Sequence, residues 1–335
     1  MSKVPSPQPP QPSQFDRRRV MVAAGGSLAA WMLAGCRPAP ALTRVGVIRW
    51  IGYEPLVLAR ELGLLDASRG VRLVELPSNT TALMALASGD IDAATLTLDE
   101  CLVAIEGGVD ARVLWVFDES AGADVVLARP PIATLAQLRG KRIGVEQTAA
   151  GALMLGQVLD AAQLTPAEIQ LVQMTADQHL SAYREGEVDA LITFEPYAAQ
   201  IQRLGARRLI DSRSFPGLIV DVLVARSAAL EGTEARFTAL ARAYFSALQY
   251  VQAQPIDARR RMGERLGLSE AEVAAALAGI RVFDVEGNRR WLSGPAPALY
   301  ASAQRVAGEL RRAGILRRAP ALDQLIDDRF LPKDL

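Results

Sequence analysis

The chain has 335 residues, 50% of them hydrophobic and 22% charged, with 37 basic and 37 acidic side chains. That composition excludes a disordered, collagen-like or disulfide-scaffold protein, and the length suits two lobes that each bury a core. With no basic excess and 5% aromatic residues, little is available to track a phosphate backbone, so no nucleic-acid partner is expected.

The N-terminal run is rich in proline and cannot pack. Arg17-Arg18-Arg19 then lead into an apolar stretch, Val20–Ala34. A spanning helix needs about 20 residues, so this stretch is too short to cross a bilayer but suits the apolar part of an export signal. It ends Leu33-Ala34-Gly35-Cys36, which resembles a bacterial lipobox with Cys36 as the lipidated residue. Asp16–Met21 resembles a loose twin-arginine motif. Residues 1–35 therefore read as a signal peptide, with its lipobox at 33–36, and residues 36–43 as a linker. The mature protein is expected on the periplasmic side of the envelope, tethered by lipid, after export by the Sec or the twin-arginine route. Cys101 is the one thiol left in the body, so no internal disulfide is expected.

From Arg44 onward, short β-rich runs alternate with amphipathic helical stretches, which predicts an α/β fold with mostly parallel sheets. Strands are expected at Val45–Ile48, Val71–Leu76, Ala93–Leu96 and Val113–Phe117, with helices at Pro55–Leu64 and from Ser78 or Asn79 to Ser88. An internal echo supports two lobes of like topology. Leu86-Ala87-Ser88-Gly89-Asp90-Ile91-Asp92-Ala93 recurs in outline as Tyr183-Arg184-Glu185-Gly186-Glu187-Val188-Asp189-Ala190. Apolar strands at Ala123–Ala128 and Leu218–Ala225, flanked by Pro and Gly, read as crossings between lobes. They set the first lobe at 44–128 and 218–335 and the second at 129–217. The tail reads as helices Thr233–Gln254, Ile256–Leu266, Ser269–Ala278 with a capping box, Pro297–Ala313 and Leu322–Phe330.

Ligands of parallel α/β sheets sit beyond the C-terminal ends of the strands. The residues that follow the predicted strands supply Arg49, Trp50, Tyr53, Glu54, Thr97, Asp99, Asp118, Thr148, Glu195 and Tyr197 as candidate ligand-binding residues. The aromatic residues would clamp a planar or apolar body. Thr148, the helix N-terminus after it and Arg49 could hold an anion, whereas Glu54, Asp99, Asp118 and Glu195 would repel one and favour a cationic, amine-bearing or heteroaromatic solute. Glu100, Glu119 and Glu146 read as helix caps or solvated acids. His179, the single histidine, is expected at the surface, and Arg259-Arg260-Arg261 on a solvated helix face with Glu264. No metal, cofactor or nucleophile motif stands in the chain, so neither a catalytic residue nor a cofactor is expected.

Trp50-Ile51-Gly52-Tyr53-Glu54-Pro55-Leu56, Ala87–Ala93, Leu138-Arg139-Gly140-Lys141-Arg142-Ile143-Gly144-Val145 and Phe194-Glu195-Pro196-Tyr197 resemble the nitrate/sulfonate/taurine group of ABC-importer substrate-binding proteins. That group also includes thiamine-precursor pyrimidine binders. The resemblance implies a type II periplasmic-binding-protein fold whose two lobes are joined by two crossover strands and close on a small molecule. It implies an ABC permease with its ATPase as partners, and a monomer. A ligand-sensing lobe for a membrane receptor, or a pyrimidine-synthesis-type enzyme on the same fold, are the alternatives. The enzyme relatives carry a cysteine-rich motif that is missing here.

Overall fold

The computed structural model describes residues 42–335, so the expected leader, the linker up to residue 41 and Cys36 lie outside the described residues. The first half opens with β1 (Thr43–Val47), α1 (Glu54–Glu61), β2 (Val71–Glu75), α2 (Asn79–Ser88), β3 (Ala93–Thr97), α3 (Leu98–Glu106) and β4 (Ala111–Ser120). Next come β5 (Asp124–Ala128), β6 (Arg142–Glu146), α4 (Ala149–Ala162), β7 (Gln170–Met174), α5 (His179–Glu185), β8 (Ala190–Phe194), α6 (Tyr197–Gln202) and β9 (Arg207–Asp211). The chain then returns through β10 (Val220–Arg226) to α7 (Ser227–Leu230), α8 (Glu234–Ala253), α9 (Pro255–Leu266), α10 (Glu270–Leu277), β11 (Ile280–Val282), α11 (Val285–Leu292) and α12 (Ala298–Arg312).

Two sheets result, in the orders β11-β4-β10-β3-β1-β2 and β7-β6-β8-β5-β9. Each has a parallel trio, β2-β1-β3 in one and β7-β6-β8 in the other. Each trio is flanked by a strand of the opposite direction, β10 or β5. The central strands β3 and β5 are buried at every position, which is why they read in sequence as unbroken apolar runs. The expected lobe boundary at residue 128 shifts, because β5 pairs with β8 and β9. The chain thus leaves the first sheet after Ser120 and rejoins it at Val220.

The internal echo has a physical cause. Gly89 and Gly186 end α2 and α5 in the left-handed region, at φ 83° and 79°, where a side chain is disfavoured. Three residues on, Asp92 accepts from the Arg44 backbone N–H at 2.7 Å and from its guanidinium. Asp189 does the same to Arg142, at 2.9 Å from the N–H and 2.8 Å from Nη2. Each aspartate thereby pins the start of β1 or β6 beside its parallel neighbour β3 or β8.

The tail departs from expectation at two places, and both concern one edge of β4. β11 and α11 were not anticipated, and residues 322–330 form no α-helix; a single 3-10 turn spans Asp328–Phe330. β11 pairs only with Asp118–Ser120. Further along the same edge, the Asn288 side chain on α11 receives the Val116 N–H at 2.7 Å and donates to the Val116 carbonyl at 2.9 Å. Beyond it Ile326 bridges Val113, with Val113 N donating to the Leu325 carbonyl at 2.7 Å and Asp327 N to the Val113 carbonyl at 3.0 Å. Backbone polar groups buried at a sheet edge must find partners, and this demand outweighs the weak helical pattern of the last segment. Asn288 is fully buried. Asn288→Leu strands both polar groups of Val116, so we expect a loss of at least about 2 kcal/mol in stability, read from the urea unfolding midpoint.

Candidate functional site

In both trios the parallel strands end at the junction of the sheets, and the opposed strands β5 and β10 begin there. Their ends enclose a cavity of about 40 Å³. One side is formed by Ile48, Trp50, Tyr53, Asn79, Thr97 and Asp221; the other by Asp124, Val145, Glu146, Thr148, Met154, His179, Thr193 and Phe194. The space admits a few water-sized groups, so the two sides are closed on each other. Trp50 meets Phe194 edge to face across it, with ring centroids 5.8 Å apart. A polar contact also spans the junction, since Glu146 Oε1 accepts from Thr80 N at 3.0 Å and Thr80 Oγ1 at 2.9 Å.

The Trp50 loop is shaped by a close approach. A Cβ on Gly52 would lie 1.8 Å from Asp118 Oδ2 and 2.7 Å from Trp50 Nε1, so only glycine lets the loop fold over this carboxyl. Trp50 Nε1 donates to Asp118 Oδ2 at 3.3 Å, and the Tyr53 hydroxyl donates to Asp221 Oδ1. Asp118 and Asp221 are both buried, and burial first, then repulsion from Asp118, pushes Asp221 far above the ordinary carboxyl range. Burial likewise raises Asp124 to about 7 and Glu146 above its usual value. Several oxygens facing this region have no hydrogen-bond partner, among them Asp118 Oδ1, Asp124 Oδ2, Glu146 Oε2, Asp221 Oδ2 and Thr97 Oγ1.

Of the residues expected from sequence, Trp50, Tyr53, Thr97 and Thr148 line the cavity, and Asp118 supports it from behind through Trp50. The others do not reach it. Arg49 and Tyr197 line a separate, more open depression with Glu75, Asp177 and Arg265. Glu54 is buried and paired with Arg265, where burial lifts its carboxyl to about 7 against the pull of the guanidinium. Asp99 is fully buried in the first turn of α3, and Glu195 accepts from Ala199 N at 3.0 Å in the first turn of α6. Glu195 is thus held by its own helix, whereas both Asp99 oxygens are buried without a hydrogen-bond partner. Glu100 caps α3 as expected, its Oε2 receiving the Thr97 N–H at 3.1 Å, whereas Glu119 pairs with Arg281.

His179 corrects the expectation of a surface residue. It is 1% exposed, its Nδ1 lies 3.0 Å from Thr193 Oγ1, and burial lowers its pKa to about 4, so it is neutral. Its ring packs on Phe194 and Tyr197. The signal was its place at the start of a helix that follows β7, on the same side as the other strand ends. Asp124, Glu146 and Asn79 were missed as cavity residues because two of them open elements instead of following strands, and Glu146 suits a capping role equally well.

The NMT1-like family model matches residues 37–267. The chain belongs to the NMT1-like family. An Escherichia coli K12 protein named as an aliphatic sulfonates-binding protein is 29% identical over 171 residues, 48% of this chain and 54% of that protein. The chain thus spans about half the length of the curated relatives it matches. The alkanesulfonate-binding protein SsuA of Xanthomonas axonopodis pv. citri, solved with MOPS bound, superposes with a TM-score of 0.69 at 22% identity, covering 84% of this chain and 96% of that one. The desulfurization enzyme DSZB superposes at 0.60 and 19% identity, over 86% of this chain and 97% of its own. The family member described here therefore has a periplasmic-binding-protein fold, one shared by binding proteins and an enzyme.

The buried acids of this NMT1-like chain have a measurable cost. Their folded values lie above the unfolded ones, so their contribution is fully favourable below about pH 4 and is lost as pH rises through about 7 to 8. Asp118→Asn removes one of them while keeping an acceptor for Trp50. The variant's Tm should match the parent near pH 3.5 and exceed it increasingly as pH rises, by several degrees at pH 8.5, measured by differential scanning fluorimetry.

Proposed function

We propose that this protein is the solute-binding component of an ABC importer, exported and held at the membrane by lipid on Cys36. The two sheets with their helices act as lobes, about 42–120 with 220–335 and 124–211, that close on a small molecule and then dock on a permease. The observation that carries this reading is the cavity at the meeting point of the two sheets, lined from both sides by polar atoms without protein partners. Buried polar atoms are costly unless they are paired, so a site that retains them is built to be completed by something else. The relatives named for sulfonate binding support the transport role.

Closure follows from contacts that only the shut form makes. Glu146 with Thr80, and Trp50 with Phe194, join the two sides without any solute. A solute shifts the balance only by the contacts it adds in the shut form beyond those it makes when the lobes are apart. A tether raises the concentration of the loaded protein near its permease without any new contact.

Catalysis has less support. Cys101 is the described cysteine; it is fully buried on α3, does not line the cavity, and burial pushes its thiol up to about 12. His179 meets the Thr193 hydroxyl, but its other ring nitrogen, Nε2, has no carboxylate to orient it. Burial lowers its pKa to about 4, which makes it a weak base.

Two measurements test the reading. In a thermal-shift screen of alkanesulfonates, taurine, nitrate, pyrimidines and amines, a true solute raises Tm by mass action, and Trp50→Ala weakens it tenfold or more. A flat response to every class overturns the solute-binding role. For the anchor, Cys36→Ala in the full chain should move the protein from the membrane fraction to the soluble envelope fraction; continued membrane association would rule out lipid on that residue.

A further inference from the structure

The charge of the solute can be argued from what already occupies the cavity's neighbours, and the argument rests on the solute-binding reading above. Anions bind at helix N-termini, where free N–H groups converge. Here the chain itself fills part of each such position. Glu146 Oε1 holds the Thr80 N–H and Ser78 Oγ the Thr81 N–H at the start of α2. Thr148 Oγ1 receives the Gly151 N–H at 3.1 Å at the start of α4, and Glu100 closes α3 onto Thr97. No arginine or lysine lines the cavity; of the two arginines in the adjoining depression, Arg265 is committed to Glu54 and Glu75, and Arg49 stays outside the cavity lining.

The unpartnered atoms have the opposite character. Asp124, Glu146 and Asp221, respectively 9%, 4% and 2% exposed, each line the cavity and each keep one oxygen with no partner. They come from both sides of the junction. Between them the walls are apolar and aromatic: Trp50, Phe194, Met154 and Ile192. We propose that the solute is a small organic cation whose ammonium or amidinium head lies among Asp124, Glu146 and Asp221 and whose apolar body lies against Trp50 and Phe194. The head supplies the hydrogen-bond donors that these oxygens lack and favours the ionised form that burial otherwise opposes. The aromatic faces add a cation–π contribution. An alkanesulfonate in the same place would set its charge against three carboxyls and find the Thr80, Thr81 and Gly151 N–H groups already bonded.

Probe pairs of like shape and opposite charge test this: n-butylamine against butane-1-sulfonate, and benzylamine against benzenesulfonate, titrated calorimetrically at pH 7.5. We expect at least one amine to bind ten times or more tightly than its sulfonate counterpart. Asp124→Asn and Glu146→Gln should each weaken that amine at least tenfold, while the free variants melt at or above the parent temperature. A purely structural role for these acids would leave amine affinity unchanged or lower the free variant's Tm. Tighter binding of the sulfonates, or of an uncharged solute from the wider screen, overturns the cation assignment and leaves the solute-binding reading intact. Absence of binding by every class in that screen overturns the solute-binding reading and the assignment with it.

Discussion

Carboxyl groups without counter-ions, buried where two sheets meet, are the constraint around which this molecule is organised. Holding Asp124 at about 7 against an ordinary 3.8 costs the folded state about 4 kcal/mol in mildly alkaline solution. Asp118 and Asp221 add to that burden, each raised first by burial, and Asp221 further by the charge of Asp118. A domain is stable by only about 5–15 kcal/mol, so such groups persist only where the rest of the structure is well packed and where they serve a purpose. The packing is visible directly behind them. Trp115 stacks on Tyr244 with centroids 5.6 Å apart, and Phe117 meets both Tyr244 and Tyr53 edge to face at 5.0 Å. The Tyr53 ring thus belongs to the core while its hydroxyl faces the acids.

The scaffold brings these groups together by using one local device twice. Asp92 with Arg44 and Asp189 with Arg142 clasp the start of a trio's central strand to the strand beside it. The following glycines repeat as well. A Cβ on Gly46 would lie 2.6 Å from Ile91 Cδ1, and one on Gly144 would lie 2.5 Å from Leu191 Cδ2. Each glycine lets a side chain from the neighbouring loop or strand cover β1 or β6. With the starts of the strands fixed in this way, their ends reach the junction in matched positions, and the site residues follow from register.

This explains what could be read in the sequence. The alternation of strands and helices, the capping signals at Ser78 and Ser269 and the repeated Gly-acid-x-Asp segment all have local causes, and they reappear as described. Residues immediately after strands were legible for the same reason: Trp50, Thr97 and Thr148 reach the cavity because strand ends point there. Asp124 was not legible, because it opens a strand of reversed direction, and nothing local tells which end of β5 meets the site. Glu54 and Glu195 illustrate the converse. Their position beside the motif aromatics suggested ligand contact, but an arginine far away in sequence, Arg265, claims the first, and a helix N–H claims the second. The burial of His179 depends likewise on Phe194 and Tyr197, which the chain supplies only after another strand.

Membership of the NMT1-like family fixes the frame but not the sign of charge in the cavity. The frame depends on clasps, glycines and apolar strands, none of which touches the space between the sheets. The charge depends on a few side chains at strand ends, which can change without disturbing those elements. Glu146 shows how directly the two levels connect. One of its oxygens fills the helix terminus of α2, where an anionic solute would otherwise find donors, and the other remains free in the cavity. A single carboxyl therefore bridges the junction and, on the cation assignment proposed above, also disfavours an anion there. If the proposed cation assignment holds, the cost of this residue in the empty protein is what the solute relieves.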